Sequence, residues 1–153
     1  MWKGKKVLPN LIILVFILLV SLLYGCNKEN KFKKNESFYR AINGNDTAFL
    51  SLSLTKKHFT GKYEIQYGTV GKDSGDVRGK ISGDTLLGLY NYVTYGGNNN
   101  IIPIALLRRG NKIYWGKGLA MSLMNVHFFS KDVQMDYDNS EFVFEKINKV
   151  EKK

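Results

Sequence analysis

Side chains able to do chemistry are few in this chain. It has two histidines, His58 and His127, and one cysteine, Cys26. A structural zinc site needs four ligands, with its Cys or His pairs a few residues apart. These histidines stand roughly 70 residues apart with no companion cysteine, so no metal site and no cofactor is expected. Ser130 lies between His127 and Asp132, the residue types of a nucleophile, base and orienting acid. The sharp Gly-x-Ser-x-Gly turn that would expose such a serine is missing. Ser53-Leu54-Thr55-Lys56 has the Ser-x-x-Lys spacing of acyl-enzyme formers, but it ends an alternating run instead of opening a helix. Carboxylates gather at Asp73, Asp76 and Asp84, and again at Asp132, Asp136, Asp138 and Glu141. Glycoside hydrolysis needs two of them at a fixed separation, which a sequence does not display, and Asp84 is explained by turn formation. Gly116-Lys117-Gly118 lacks the spacing of a phosphate loop. The chain is expected not to be an enzyme, with a small hydrolase as the minor alternative.

The elements that would position these groups are strands. Ala48, Leu50, Leu52 and Leu54 alternate with Thr47, Phe49, Ser51 and Ser53; Phe59, Tyr63, Ile65 and Tyr67 alternate with Thr60, Lys62, Glu64 and Gln66. That is the period of a half-buried strand, not of a helix. Turn chemistry separates the runs. Asn43-Gly44-Asn45-Asp46, Ser82-Gly83-Asp84-Thr85 and Arg109-Gly110-Asn111-Lys112 each read as a tight hairpin. The second sets Ile81 opposite Leu86, Gly79 opposite Gly88 and Val77 opposite Tyr90; the third sets Leu107 opposite Tyr114. Facing glycines let the sheet bend or let a large side chain lie over them. Eight strands follow: 37–42, 47–54, 58–67, 76–82, 85–95, 101–108, 112–117 and 141–147. Short connections in sequence predict an all-β, antiparallel meander, closed into a small barrel or curled to remove its edges. The expected core is Phe59, Tyr63, Ile65, Val77, Ile81, Leu86, Tyr90, Leu106, Tyr114, Phe142 and Phe144. Leu87 and Leu89 fall on the other face and suggest burial on both sides or a bulge.

Residues 118–140 break the rhythm. A connection of this length is a lid, a binding loop or a plug, and Leu119, Met121, Leu123, Met124, Val126, Phe128 and Phe129 make it apolar. The segment is expected to cap the barrel mouth. A ligand site beneath it would be lined by Tyr114, Met121, Met124, Phe128 and Phe129, with Arg108 and Lys117 at its rim.

The amino terminus carries an address. Lys3, Lys5 and Lys6 precede the apolar run Leu11 to Leu23, and Leu23-Tyr24-Gly25-Cys26 follows. As a helix the run spans roughly 20 Å, short of the roughly 30 Å hydrocarbon core of a bilayer, so it reads as a secretory signal peptide. The Gly25-Cys26 junction resembles the lipobox of bacterial lipoproteins, with Tyr24 departing from its usual small or β-branched residue. The resemblance implies cleavage before Cys26, a diacylglyceryl group on that cysteine and acylation of the new amino terminus. Residues 1–25 are then the signal peptide, 26–36 a polar tether and 37–150 the domain. The resemblance places the protein in the cell envelope, and Asn27 after the cysteine implies the outer membrane under enteric-type sorting.

The chain carries a formal charge of +10, about +7 once Lys3, Lys5 and Lys6 are set aside. An exported protein meets little nucleic acid, so the partners expected are the membrane, through the lipid, and an apolar or anionic envelope ligand. Gly61-Lys62-Tyr63-Glu64-Ile65, Asp73-Ser74-Gly75-Asp76-Val77-Arg78-Gly79, Gly83-Asp84-Thr85-Leu86 and Pro103-Ile104-Ala105-Leu106-Leu107 are similar to segments of small Bacteroidota lipoproteins. That resemblance implies an anchored envelope domain and assigns no chemistry. Two functions are open at this point: a non-enzymatic binding module with a pocket in the barrel, or an interaction or inhibitor protein that docks an envelope partner. A hollow interior lined by Tyr and Met favours the first. A filled barrel with Phe128 and Phe129 exposed favours the second.

Overall fold

The computed structural model describes residues 36–148. The segment read as a signal peptide, Cys26 and the expected tether up to residue 35 lie outside the described residues. Ten strands form: β1 (Glu36–Asn43), β2 (Asp46–Leu54), β3 (His58–Tyr67), β4 (Gly71–Ser82), β5 (Thr85–Val93), β6 (Asn99–Arg109), β7 (Lys112–Trp115), β8 (Ala120–Leu123), β9 (Val126–Phe129) and β10 (Val143–Ile147). There is no helix among the described residues. Strands β1 to β7 run as an antiparallel meander, and β10 pairs with both β7 and β1 to close an eight-stranded barrel. Closure removes the unpaired edges that an open meander would leave. A separate two-stranded sheet, β8–β9, stands in the connection between β7 and β10.

Alternation decides which side chains fill the barrel. Ala48, Leu50 and Leu52 of β2, Phe59, Tyr63 and Ile65 of β3, Leu86 and Tyr90 of β5, and Phe142 and Phe144 beside β7 are buried in one cluster. Tyr63 is its hub. Its ring lies 4.9 Å from Tyr90, 4.7 Å from Trp115 and 6.1 Å from Phe144. Tyr90 stacks on Tyr92 at 4.3 Å, and its hydroxyl donates to the Tyr63 carbonyl at 3.2 Å. Large side chains from strands all round the barrel therefore occupy its centre. Burial pushes the Tyr63 and Tyr90 hydroxyls well above the usual phenol range. Tyr67 is raised by burial and by its hydrogen bond to Asp73.

The hairpins are in the register that their turns dictate. Gly44, Gly83 and Gly110 each open a two-residue loop with φ near +59°, the left-handed conformation that glycine takes without steric cost. Ile81 faces Leu86, Gly79 faces Gly88, Val77 faces Tyr90, and Leu107 faces Tyr114. A Cβ on Gly79 would stand 2.1 Å from the Leu87 carbonyl oxygen and 2.7 Å from the Phe59 ring. The facing glycines thus let β4 and β5 approach closely while Phe59 lies over them.

Four expectations need correction. β4 begins at Gly71, five residues before the strand read from sequence. Its first turn-like residues, Lys72-Asp73-Ser74-Gly75, are paired with β3, and Asp73 points inward, where it accepts from Tyr67 Oη at 3.0 Å and the Tyr95 N–H at 2.9 Å. Tyr114 is not core: Ile113 and Trp115 take the inner face, so Tyr114 lies on the outer wall with the Arg109 guanidinium 5.2 Å from its ring. Ile81 is only partly buried, packed against the core from the barrel end. The segment 118–140 does not plug a mouth. It folds back on the outer wall, where β9 lies against β6. This is why Pro103 and Ala105 are buried although they alternate with the inward Ile102, Ile104 and Leu106.

Candidate functional site

The β8–β9 hairpin is built from alternation and a tight turn. Met121 pairs with Phe128 and Leu123 with Val126, while Ala120 pairs with Phe129 and Ser122 with His127. Side chains of directly opposed residues share a face. One face is therefore Met121, Leu123, Val126 and Phe128, and the other Ala120, Ser122, His127 and Phe129. The second face leans on the protein: Phe129 and Met135 stand over Gly118, where a Cβ would meet them at 2.9 and 2.7 Å. The first face looks at water, with Leu123 63% and Phe128 38% exposed. Met124 at the tip is 91% exposed, and Leu119 extends the stripe. Taking about 200 Å² for a large side chain, these six residues present on the order of 600–700 Å² of apolar surface. Single patches on monomers usually reach about 300–600 Å².

Polar contacts hold the root of this hairpin. Lys117 and Asp136 exchange both backbone hydrogen bonds at 2.8 Å, and Ser130 N–H donates to Leu119 O at 2.8 Å. The Asp136 carboxylate accepts from the Asn139 side chain at 2.9 Å and from the N–H groups of Asp138 and Asn139. Those bonds hold its carboxyl below the usual carboxylate range. Arg109 Nη1 reaches Asp138 at 2.7 Å, and the Ser140 hydroxyl lies 2.8 Å from the Trp115 and Phe142 carbonyl oxygens. The turn itself is Met124-Asn125, both with positive φ (48° and 63°). Asparagine tolerates that conformation, whereas methionine adopts it only under strain.

The residues expected to line a ligand site separate into two groups. Met121, Met124 and Phe128 come together on the outer face and tip of the hairpin, with Phe129 beneath and Lys117 at the root. Tyr114 and Arg108 lie elsewhere on the barrel wall. Arg108 donates to Gly83 O at 2.9 Å and meets Asp84 at 3.4 Å; its Nε is buried without a partner among the described residues. Leu119, Leu123 and Val126 belong to the same apolar face as Met121 and Phe128. Their alternation around Met124-Asn125 carries the signal, which a glycine-free turn conceals.

A concavity of about 770 Å³ crosses β1 to β5. Its lining takes consecutive residues, such as Lys62-Tyr63-Glu64 and Ser74-Gly75-Asp76. Tyr63 is almost wholly buried, so the walls are the outward side chains and the trough lies on the outer surface. Lys62 pairs with Asp76 at 3.1 Å and Lys72 with Glu64 at 3.0 Å beside it. Its two cations are each paired with an acid, Glu36 is the remaining charge, and none of the seven expected ligand residues lines it. His127, Ser130 and Asp132 form no hydrogen-bonded relay: Ser130 Oγ accepts from the Asp132 N–H at 3.2 Å. Among the described residues no three His, Cys, Asp or Glu side chains gather as metal ligands would. No family model, curated protein or solved structure matches the chain.

Proposed function

We propose that this chain is a membrane-anchored lipoprotein of the bacterial cell envelope, without enzymatic activity, whose barrel is a rigid pedestal for a protein-docking hairpin. One observation carries the docking reading. The interior is occupied by aromatic and aliphatic side chains, while Met121, Leu123, Met124, Val126 and Phe128 of the long connection face water on β8–β9. A pocket-bearing module would show the reverse. Apolar residues held on a paired hairpin lose less backbone freedom when a partner covers them than an unpaired loop would. The partner this fits is a protein of the envelope presenting a complementary apolar surface. The anchor rests on Lys3, Lys5, Lys6, the apolar run and Gly25-Cys26.

Two experiments test the reading. Cells given radioactive palmitate should label the chain and not its Cys26→Ser variant; a labelled, membrane-bound variant removes the lipoprotein assignment. For docking, a photocrosslinking amino acid replaces Leu123 or, as a control, Thr69 at a distant turn. In intact cells the Leu123 probe should give one discrete protein adduct that excess unlabelled chain competes away and an unlabelled Leu123→Asp chain does not. An adduct of twice the chain's own mass, or adducts to lipid alone, would refute partner docking.

A further inference from the structure

The barrel is electrically polar along its axis. In a meander, alternate turns lie at opposite ends. The start of β1 at Glu36, the turns 55–57, 83–84 and 110–111, and the end of β10 at Ile147 therefore share one end. That end carries Lys56 and Lys57 in a turn, Arg109 and Lys112 flanking another, and Lys80 and Arg78 on the adjoining outer face of β4. Among the described residues Lys56, Lys57, Arg78 and Lys80 make no ion pair, and all four are exposed. The acids at this end are Glu36 at the start of β1, Asp84, which Arg108 meets, and Asp138 and Glu145, which pair with Arg109 and Lys112, so the free positive charge is that of Lys56, Lys57, Arg78 and Lys80. At the opposite end the turns 43–46, 67–71 and 93–99 hold no Lys or Arg, and Asp46 is their charge. The connection 116–142 leaves β7 beside the basic end, where its Asp138 pairs with Arg109; its other charges are Lys117 and Lys131 against Asp132, Asp136 and Glu141.

We infer that the basic end, on which β1 begins, rests on an anionic phospholipid surface and holds the barrel upright on the membrane. The proximity part rests on the anchoring reading above; the orientation part rests on charge alone. A lipid on Cys26 stands ten residues before Glu36, and ten residues span at most about 35 Å. The tether therefore keeps the domain close to the bilayer without selecting which face meets it. The charge selects the face. Attraction of each unpaired lysine to an anionic leaflet favours contact by roughly five-fold and decays within a Debye length of about 10 Å. Lys56, Lys57 and Lys80 together favour the upright state by on the order of 100-fold.

The test uses the full chain purified from bacterial membranes and reconstituted into phosphatidylcholine vesicles with or without about one-third phosphatidylglycerol. A fluorophore is placed on Asn111→Cys at the basic end or on Asn98→Cys at the other, and the vesicles carry a head-group quencher. The expected result is strong quenching at position 111 with phosphatidylglycerol, little without it, and little at position 98 in either. Raising salt to 1 M should abolish the quenching, and so should the triple reversal K56E/K57E/K80E, whose folding is checked by circular dichroism. Equal quenching at both positions, or quenching at 111 that ignores lipid charge and salt, would overturn the inference. The unsubstituted chain passes through the same labelling. Uptake of fluorophore there means that Cys26 is a free thiol, which defeats the anchoring reading by itself, while the 111-against-98 comparison still decides the orientation.

Discussion

Gly79 and Gly83 stand four residues apart in the β4–β5 hairpin, and alanine at each has a different cost for a different reason. Gly83 has φ +58° and open space where a Cβ would go. Alanine there meets only the left-handed backbone penalty, about 1 kcal/mol. Gly79 has an ordinary strand φ, but its Cβ would enter the Leu87 carbonyl at 2.1 Å, Gly88 Cα at 2.5 Å and Phe59 Cε1 at 2.7 Å. Two of these contacts are backbone, so β4 and β5 must separate. Losing one or two ladder hydrogen bonds removes about 1 kcal/mol each. Lifting Phe59, now 1% exposed, forfeits part of the ~1.5–3 kcal/mol of its burial. The expected cost of Gly79→Ala is about 3–5 kcal/mol, a large share of a typical 5–15 kcal/mol stability. For a domain of roughly 110 residues, Tm should fall by about 12–20 °C, against about 4 °C for Gly83→Ala. Urea unfolding followed by near-ultraviolet circular dichroism reads both. A cycle with Phe59→Leu should show coupling of about 0.5–1.5 kcal/mol, because the ring contact is shared. If Gly83→Ala costs as much as Gly79→Ala, backbone conformation and not close approach limits this hairpin.

Three further outcomes are expected. The raised hydroxyls of Tyr63, Tyr67 and Tyr90 stay neutral in the folded barrel, so the stability they contribute is complete below the unfolded phenol value of about 10 and is lost as pH rises above it. Tyrosinate absorbance at 295 nm should therefore rise in two stages, the second coinciding with loss of circular dichroism; a single stage in the folded protein would count against their burial. Asp136 is depressed by its bonds from Asn139 and Asp138, so its contribution is complete above the unfolded carboxylate range and lost as pH falls through its lower folded value. Exchange of the 138–139 amides, corrected for intrinsic rate, should accelerate on acidification and become insensitive to pH in Asp136→Asn. Met124→Asn should relieve the strained turn and slow hydrogen exchange in 120–129 by about five-fold, or about 1 kcal/mol, with the global Tm unchanged; no slowing would mean that the turn is not the weak point.

The barrel was legible because its punctuation is glycine. Gly44, Gly83 and Gly110 sit at the one position of a two-residue loop that requires their conformation, and period-two alternation then set each register. Where alternation offered two apolar neighbours, as at Tyr114-Trp115, it did not say which faces in. Burial of Asp73 was hidden because Lys-Asp-Ser-Gly has the composition of a turn; a tyrosine hydroxyl and a backbone N–H from distant strands make the inward position tolerable. The docking face was hidden for another reason. Apolar content argues for burial, and Met121, Leu123, Val126 and Phe128 belong to a hairpin whose turn has no glycine. The residues proposed for function are those that break the rule relating apolar character to the core.

Closure of the barrel by β10 has a consequence for how the protein is made. Strands β1 to β7 can pair with their sequence neighbours as the chain is made, but the ring stays open until residues 143–147 arrive and bridge β7 to β1. Until then both edges offer unpaired backbone groups, and the Tyr63 cluster lacks Phe142 and Phe144. The chain is thus most exposed to proteases and to misassembly during the interval between β7 and β10, the interval in which the apolar hairpin itself emerges. A chain stopped just before Val143 is expected to be degraded or to aggregate, because β1 and β7 then keep unpaired edges.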